Sequence, residues 1–344
     1  MSYHYNQRKE SLENELKLLE TYSQVNLFLK ENDWLFVTPT FFQGFELGII
    51  HKLSMNGDSN KEEITKVIFR KFYNLEHTAS FIEGYCKRCN HIKPFLESIE
   101  NSLILIFQRD YEGGIKTLIP IIEGILRKYL VTEKELDNSH IPYKKLRLAF
   151  DNLKDELIDN CENELRNWTD QNKIKVNLSE DQIKELMRLE KEYYDIWFSF
   201  IKEFIDNSFY LNTKNIELTN ELNRHSILHE FGMKFNYNLE NYIKVYFVLH
   251  FLTWIFLRKE RKSILNNIGG FRLFEKMDAY YNIIKKTSKF SYDKHLLLKE
   301  YQDYNSERFL EKFVVKEMDL PYRIKLKYKI LKGFNRFLWY KGLK

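Results

Sequence analysis

The stretch that most restricts the fold runs from Ile243 to Leu257, IKVYFVLHFLTWIFL, fifteen residues that are apolar on nearly every side of a helix. At 1.5 Å per residue such a helix is about 22 Å long, short of the roughly 30 Å hydrocarbon core of a bilayer. It also carries Lys244 and His250, so it is too short and too polar to span a membrane. A helix that is apolar all round belongs at the centre of a bundle. The rest of the chain can build that bundle. Hydrophobic residues make up 44% and aromatics 16%, and only five prolines and twelve glycines are spread over 344 residues. Few breakers among many Lys, Glu, Leu and Ile predict long helices and an all-α fold. The length favours two domains or one domain with sizeable attachments. We read a mostly helical accessory region at 1–95, a helical bundle at 96–265 and a C-terminal helical region at 266–344.

Caps and breakers place the helices. A first helical stretch around Leu12 to Leu29 gives way to DWLFVTPTFF, a strand-like or irregular piece in which Pro39 opposes a helix. Ser59 with Glu62 forms a capping box after the turn Asn56-Gly57-Asp58, and predicts a helix towards Glu76. Two apolar runs follow, HIKPFLESIENSLILIFQ and IKTLIPIIEGILRKYL. Asp110 and the pair Gly113-Gly114 between them predict a tight helical hairpin, with Pro120 early in the second helix or kinking it. The charged stretch from about Thr132 to Asn177 reads as a helical hairpin outlying the bundle. Ser179 with Gln182 is a second capping box. It opens a helix with Ile183, Leu186, Met187, Tyr194, Trp197, Ile201 and Phe204 at helical spacing. The apolar helix begins at Asn238 and ends in the basic RKERK from Arg258 to Lys262.

Charge and cysteine usage narrow the functional classes. The formal net charge is +5, and eight Lys or Arg lie between Pro321 and Lys344 with no acid among them. Subtracting those eight from +5 leaves the remainder at −3. Such a tail is either a contact for a phosphate-rich partner, with Lys325, Lys327, Lys329, Lys332 and Arg336 as RNA-binding candidates, or a solvated helix face. It could also lie on a membrane surface, with Trp339 at the interface. Three cysteines do not make a disulfide framework. Cys86 and Cys89 form a CxxC with His91 close behind, but no second pair supplies the four ligands of structural zinc, so no metal is expected. The polar start MSYHYNQRKESLENELKLLE shows no signal peptide, which makes the cytoplasm the expected location. No phosphate loop, nucleophile elbow or dinucleotide fingerprint supports a kinase, hydrolase or dehydrogenase.

The segment that could carry chemistry is NRHSILHE, Asn223 to Glu230, in which Arg224 and His229 are separated by four residues. The spacing alone decides nothing, and Arg70 with His77 matches a looser version of it. Context adds weight. The segment is polar and stands just before the apolar helix, where a rigid scaffold would present a catalytic loop. About 100 residues upstream, another apolar helix bears Glu123 and Arg127. Histidine exchanges protons near neutrality, and arginine stays charged and grips phosphate oxygens with a planar fork. Residues five apart on a regular helix point about 140° away from each other. Arg224 and His229 converge only if Arg224 precedes the helix or a second protomer completes the site. His225 and His229, four apart, share a face, but no third metal ligand is evident.

Together, DYEGGIKTLIPIIEGIL and LNRHSILHEFGMKFNYNLENYIKVYFVLHFL resemble bacterial HEPN-like proteins, in order and in internal detail, over roughly residues 95–260. The resemblance implies a dimeric helical bundle whose two motifs face each other across a cleft, and a metal-independent endoribonuclease serving as a toxin or in antiphage defence. Arg224 and His229 would be its catalytic pair. Asn223, His225, Glu123 and Arg127 would support them, and no cofactor would be needed. A homodimer, an RNA substrate and an antitoxin or regulatory partner are the expected associations. The family has Gly after the final histidine where this chain has Glu230. That departure favours the rival reading, a non-catalytic RNA- or protein-binding module with a vestigial motif. Glu123 and Arg127, as an i,i+4 pair, either bind each other, or Glu123 reaches the motif and orients Arg224. His250 is expected to be a core histidine.

Overall fold

The computed structural model describes residues 2–31, 34, 45–55, 64–65, 67–68, 75–134, 143–169, 175–206, 237–262, 273, 275–284 and 286–287. The fold is all-α. Among the described residues the one extended pairing is an antiparallel bridge between Thr169 and Lys175. The helices are α1 (Ser2–Glu31), α2 (Phe45–Met55), α3 (Leu75–Ser80), α4 (Leu96–Phe107), α5 (Tyr111–Lys134), α6 (Tyr143–Arg166), α7 (Glu180–Phe204) and α8 (Leu239–Lys259). Past α3 the chain continues through a π turn, Phe81–Tyr85, and a tight 3-10 turn, Cys86–Arg88, before a second 3-10 turn, Lys93–Phe95, enters α4. Residues 275–284 are also helical.

Helix α8 is the axis of the bundle. From Asn241 to Leu257 every side chain except that of Lys244 is buried, as its all-round apolarity requires. Asn238 starts it, its side chain accepting a hydrogen bond from the Asn241 amide at 2.8 Å. At the other end Arg261 adopts φ 54°, with Lys262 N–H bonded to the Leu257 carbonyl and Arg261 N–H to that of Arg258. This is a left-handed helix stop usually assigned to glycine. Among the described residues no helix is long and apolar enough to cross a membrane.

The hairpin between α4 and α5 is real, but its turn is Gln108-Arg109-Asp110 rather than the glycine pair. Arg109 takes φ 62°, and the Asp110 and Arg109 amides bond back to the Leu105 and Ile106 carbonyls. The Asp110 carboxylate then accepts from the Gly113 amide at 3.1 Å, capping α5. Both glycines lie inside α5, and Gly114 is there because a Cβ would collide with Ile106 of α4. Pro120 lies within α5. The Ser59 capping box falls outside the described residues. Ser179 and Gln182 form the second box as expected, through Gln182 N–H to Ser179 Oγ at 3.2 Å and Ser179 N–H to Gln182 Oε1 at 2.9 Å.

Helix α6 does not stand apart from the bundle. Leu146, Ala149, Phe150, Leu153 and Leu157 form an apolar stripe at helical spacing and join the main core between α5, α7 and α8. The N-terminal region feeds the same core through Leu19, Tyr22, Val25, Phe28 and Leu29 of α1, which packs along α7. A smaller cluster, Leu12, Leu165, Leu186 and Leu189, closes the far end of that contact.

Candidate functional site

Helix α5 supplies two of the expected site residues. Its apolar positions, Ile115, Leu118, Ile119, Ile122, Ile125, Leu126, Tyr129 and Leu130, turn it into the bundle against α4 and α8. Glu123 stands among them and is 7% exposed. A carboxylate so deep in an apolar helix is unusual unless it is paired. Arg127, one turn on, is half-buried. Among the described residues no ion pair links the two. Gly124 lies between them, with room for no side chain because Phe95 Cε1 would approach a Cβ to 2.7 Å. Asn223, Arg224, His225, His229 and Glu230 lie outside the described residues, as do Lys325, Lys327, Lys329, Lys332, Arg336 and Trp339. The motif ends nine residues before α8 begins, if counted from Glu230 to Leu239.

His250 is a core histidine. It is 1% exposed, and its ring stacks on Phe81 at 3.3 Å between centroids and on His77 at 5.8 Å. Burial, reinforced by His77, holds its imidazole well below its ordinary range, so the neutral ring is the form packed here. Arg70, the other half of the looser motif, is outside the described residues.

The CxxC is likewise interior. Cys86 and Cys89 are free thiols with no exposure. Burial pushes both up, Cys89 to about 12 with the Glu260 carboxylate adding to the effect. Such thiols are poor nucleophiles. Among the described residues no group of three or more His, Cys, Asp and Glu side chains is arranged to hold a metal ion.

Sequence reasoning missed a charge network at the joint where the Cys86–Arg88 turn meets the C-terminal ends of α5 and α8. Glu260 accepts from the Asn90 amide at 2.9 Å and the His91 amide at 3.3 Å, and lies 3.0 Å from His91 Nδ1. His91 Nε2 faces Glu133 Oε1 at 2.6 Å, and its ring stacks on Phe256 at 4.3 Å. Lys259 pairs with Glu133 and with Glu156, the latter at 2.9 Å, while Tyr129 donates to Glu156 at 2.8 Å. Lys134 also pairs with Glu156. Lys262 bonds Glu260 and the Arg88 carbonyl, and Lys128 the Asn90 carbonyl. The signal was present as CxxC-N-H and RKERK, but the first was weighed only as a metal site and the second hid an acid among bases. No protein-family model, no curated protein and no solved structure matches this chain.

Proposed function

We propose that the chain is a HEPN-type, metal-independent endoribonuclease acting in toxin or antiphage defence, with Arg224 and His229 as its catalytic pair. The observation that carries the reading is Glu123. It is a carboxylate buried on α5 beside α8, and α8 is the helix that the Asn223–Glu230 motif immediately precedes. A buried carboxylate suits a group that orients a cation, and Arg224 is the cation this reading gives it. The all-helical bundle agrees with the reading.

RNA carries its own nucleophile, the 2′-hydroxyl. His229 exchanges the proton at that oxygen or at the leaving 5′-oxygen, and Arg224 neutralises the charge that builds on the phosphorane oxygens. A second copy of the chain supplies the facing motif. Products carry a 2′,3′-cyclic phosphate and a 5′-hydroxyl. The test is cleavage of total RNA and tRNA in EDTA by the wild type and by Arg224→Ala/His229→Ala. Cyclic-phosphate ends that vanish in the double variant support the assignment. Equal cleavage by both proteins removes it. A folded dimeric wild type that cleaves neither RNA favours the second reading, an RNA- or protein-binding module, for which Glu230 in place of glycine is the specific sign.

A further inference from the structure

The charge network at the end of the bundle contains an unusual histidine. Both ring nitrogens of His91 face carboxylate oxygens, Nδ1 that of Glu260 at 3.0 Å and Nε2 that of Glu133 at 2.6 Å. Neutral imidazole has one N–H and one lone pair, and an ionised carboxylate only accepts. Each carboxylate here has a cation of its own, Lys262 on Glu260 and Lys259 on Glu133. Only the doubly protonated ring can donate to both. In the neutral ring a lone pair would confront an oxygen.

The contact lies where leverage is greatest. His91 belongs to the turn that carries the chain from α3 into α4, whereas Glu133 ends α5 and Glu260 ends α8. We propose that His91 pins a protonation-operated clasp, holding residues 86–95 against the ends of α5 and α8 as an imidazolium and releasing α5 when it loses a proton. Glu133 is the contact that yields. The Glu260 contact is reinforced by the Asn90 and His91 amides and by Lys262, so the remaining proton stays on Nδ1. The groups around the ring are Glu133 and Tyr129 of α5, and Phe256, Lys259, Glu260 and Lys262 at the end of α8. Lys128 on the Asn90 carbonyl and Glu156 of α6, bound to Lys259 and Tyr129, stand behind them. Of these side-chain types, histidine is the one that exchanges a proton near neutrality.

The experiment is hydrogen exchange of the full-length chain at pH 6 and pH 8, corrected for the intrinsic rate, read on the amides of residues 131–134, the last turn of α5. Protection in the wild type falls about tenfold from pH 6 to pH 8, the loss expected for one charge-assisted hydrogen bond. In Glu133→Gln the side-chain amide can donate to the neutral ring, so the pH dependence disappears while protection remains. His91→Gln, which cannot titrate, gives the same flat profile and serves if Glu133→Gln does not fold. A wild-type profile without pH dependence overturns the proposal. So does a slope in either variant equal to that of the wild type.

Discussion

Tyr242 and Tyr246 stand one turn apart on α8, both buried, and removing the hydroxyl of each should change stability in opposite directions. The Tyr246 ring meets Phe81 edge-on at 5.5 Å and His250 at 4.6 Å. Its hydroxyl oxygen is buried without a hydrogen-bond partner among the described residues. An unpaired buried hydroxyl costs about 1–3 kcal/mol. Tyr246→Phe keeps the ring contacts and removes the cost, so we expect a gain of about 1–2 kcal/mol and a Tm higher by roughly 2–4 °C. Tyr242 differs. Its hydroxyl lies 3.2 Å from Ser102 Oγ, which spends its single proton on the Gly114 carbonyl at 2.9 Å. The Ser102 oxygen is thus left to accept from Tyr242. Tyr242→Phe leaves that buried oxygen under-satisfied and should cost about 1 kcal/mol. Urea melts of the three proteins at pH 7 give both numbers. Destabilisation by Tyr246→Phe, equal to that by Tyr242→Phe, would refute the reasoning and mean that the Tyr246 hydroxyl has a partner.

Three further outcomes follow from single contacts. Ser179→Ala removes the oxygen that caps α7 at the Gln182 amide and should cost about 1 kcal/mol in a urea melt, with loss of less than a few tenths counting against the capping box. Arg261→Gly relieves a left-handed residue at a penalty of about 1 kcal/mol and gives up a pair with Glu164 whose side chains are 59% and 50% exposed. Such a pair is worth a few tenths at most, so the variant should gain roughly 0.5–1 kcal/mol, and any loss would deny the strain. For Glu260, burial alone would raise its carboxyl, but the Lys262 ammonium, the Asn90 amide and His91 outweigh it and hold the group below the usual range. A lowered carboxyl contributes stability above its unfolded pKa of about 4.3 and loses it as pH falls through the folded value. Melts from pH 7 to 3 should therefore be steeper for the wild type than for Glu260→Gln, and parallel curves would sink the assignment.

The helices could be read from the sequence where period and cap agreed. Ser179 with Gln182 and Asn238 mark their helices correctly because each cap is a local side-chain-to-amide bond, written within three residues. The helix stops were less legible. Arg109 and Arg261 occupy the left-handed positions where glycine would have been the signal, and the glycines at 113 and 114 pointed to a turn although Gly114 is there for close packing against Ile106. Tertiary context decided both. The place of α6 was misjudged because its charged residues dominate its composition, while five apolar residues on one stripe dominate its packing. Glu123 could be read as an acid on an apolar helix, and α5 holds it buried. The His91 network was visible only in fragments, CxxC-N-H and RKERK, because its members come from residues 91, 133, 156 and 259–262 and no local pattern joins them.

That network also answers a question posed by α8. An amphipathic helix is oriented by its apolar face, but a helix buried on all sides has no such face. Sliding or rotating it would bury almost the same area, since hydrophobic burial is non-directional. Ion pairs enclosed in protein contribute little net stability, because desolvation offsets attraction, yet they penalise every arrangement that leaves one charge unmatched. Glu260 and Lys259 at one end of α8, the Asn238 cap at the other, and the Tyr242–Ser102 contact between them are directional. They select one rotation and one axial position from the many that its aromatic surface would accept. The polar groups of α8 therefore set its register, while the apolar residues between Ile243 and Leu257 supply the driving force for burying it.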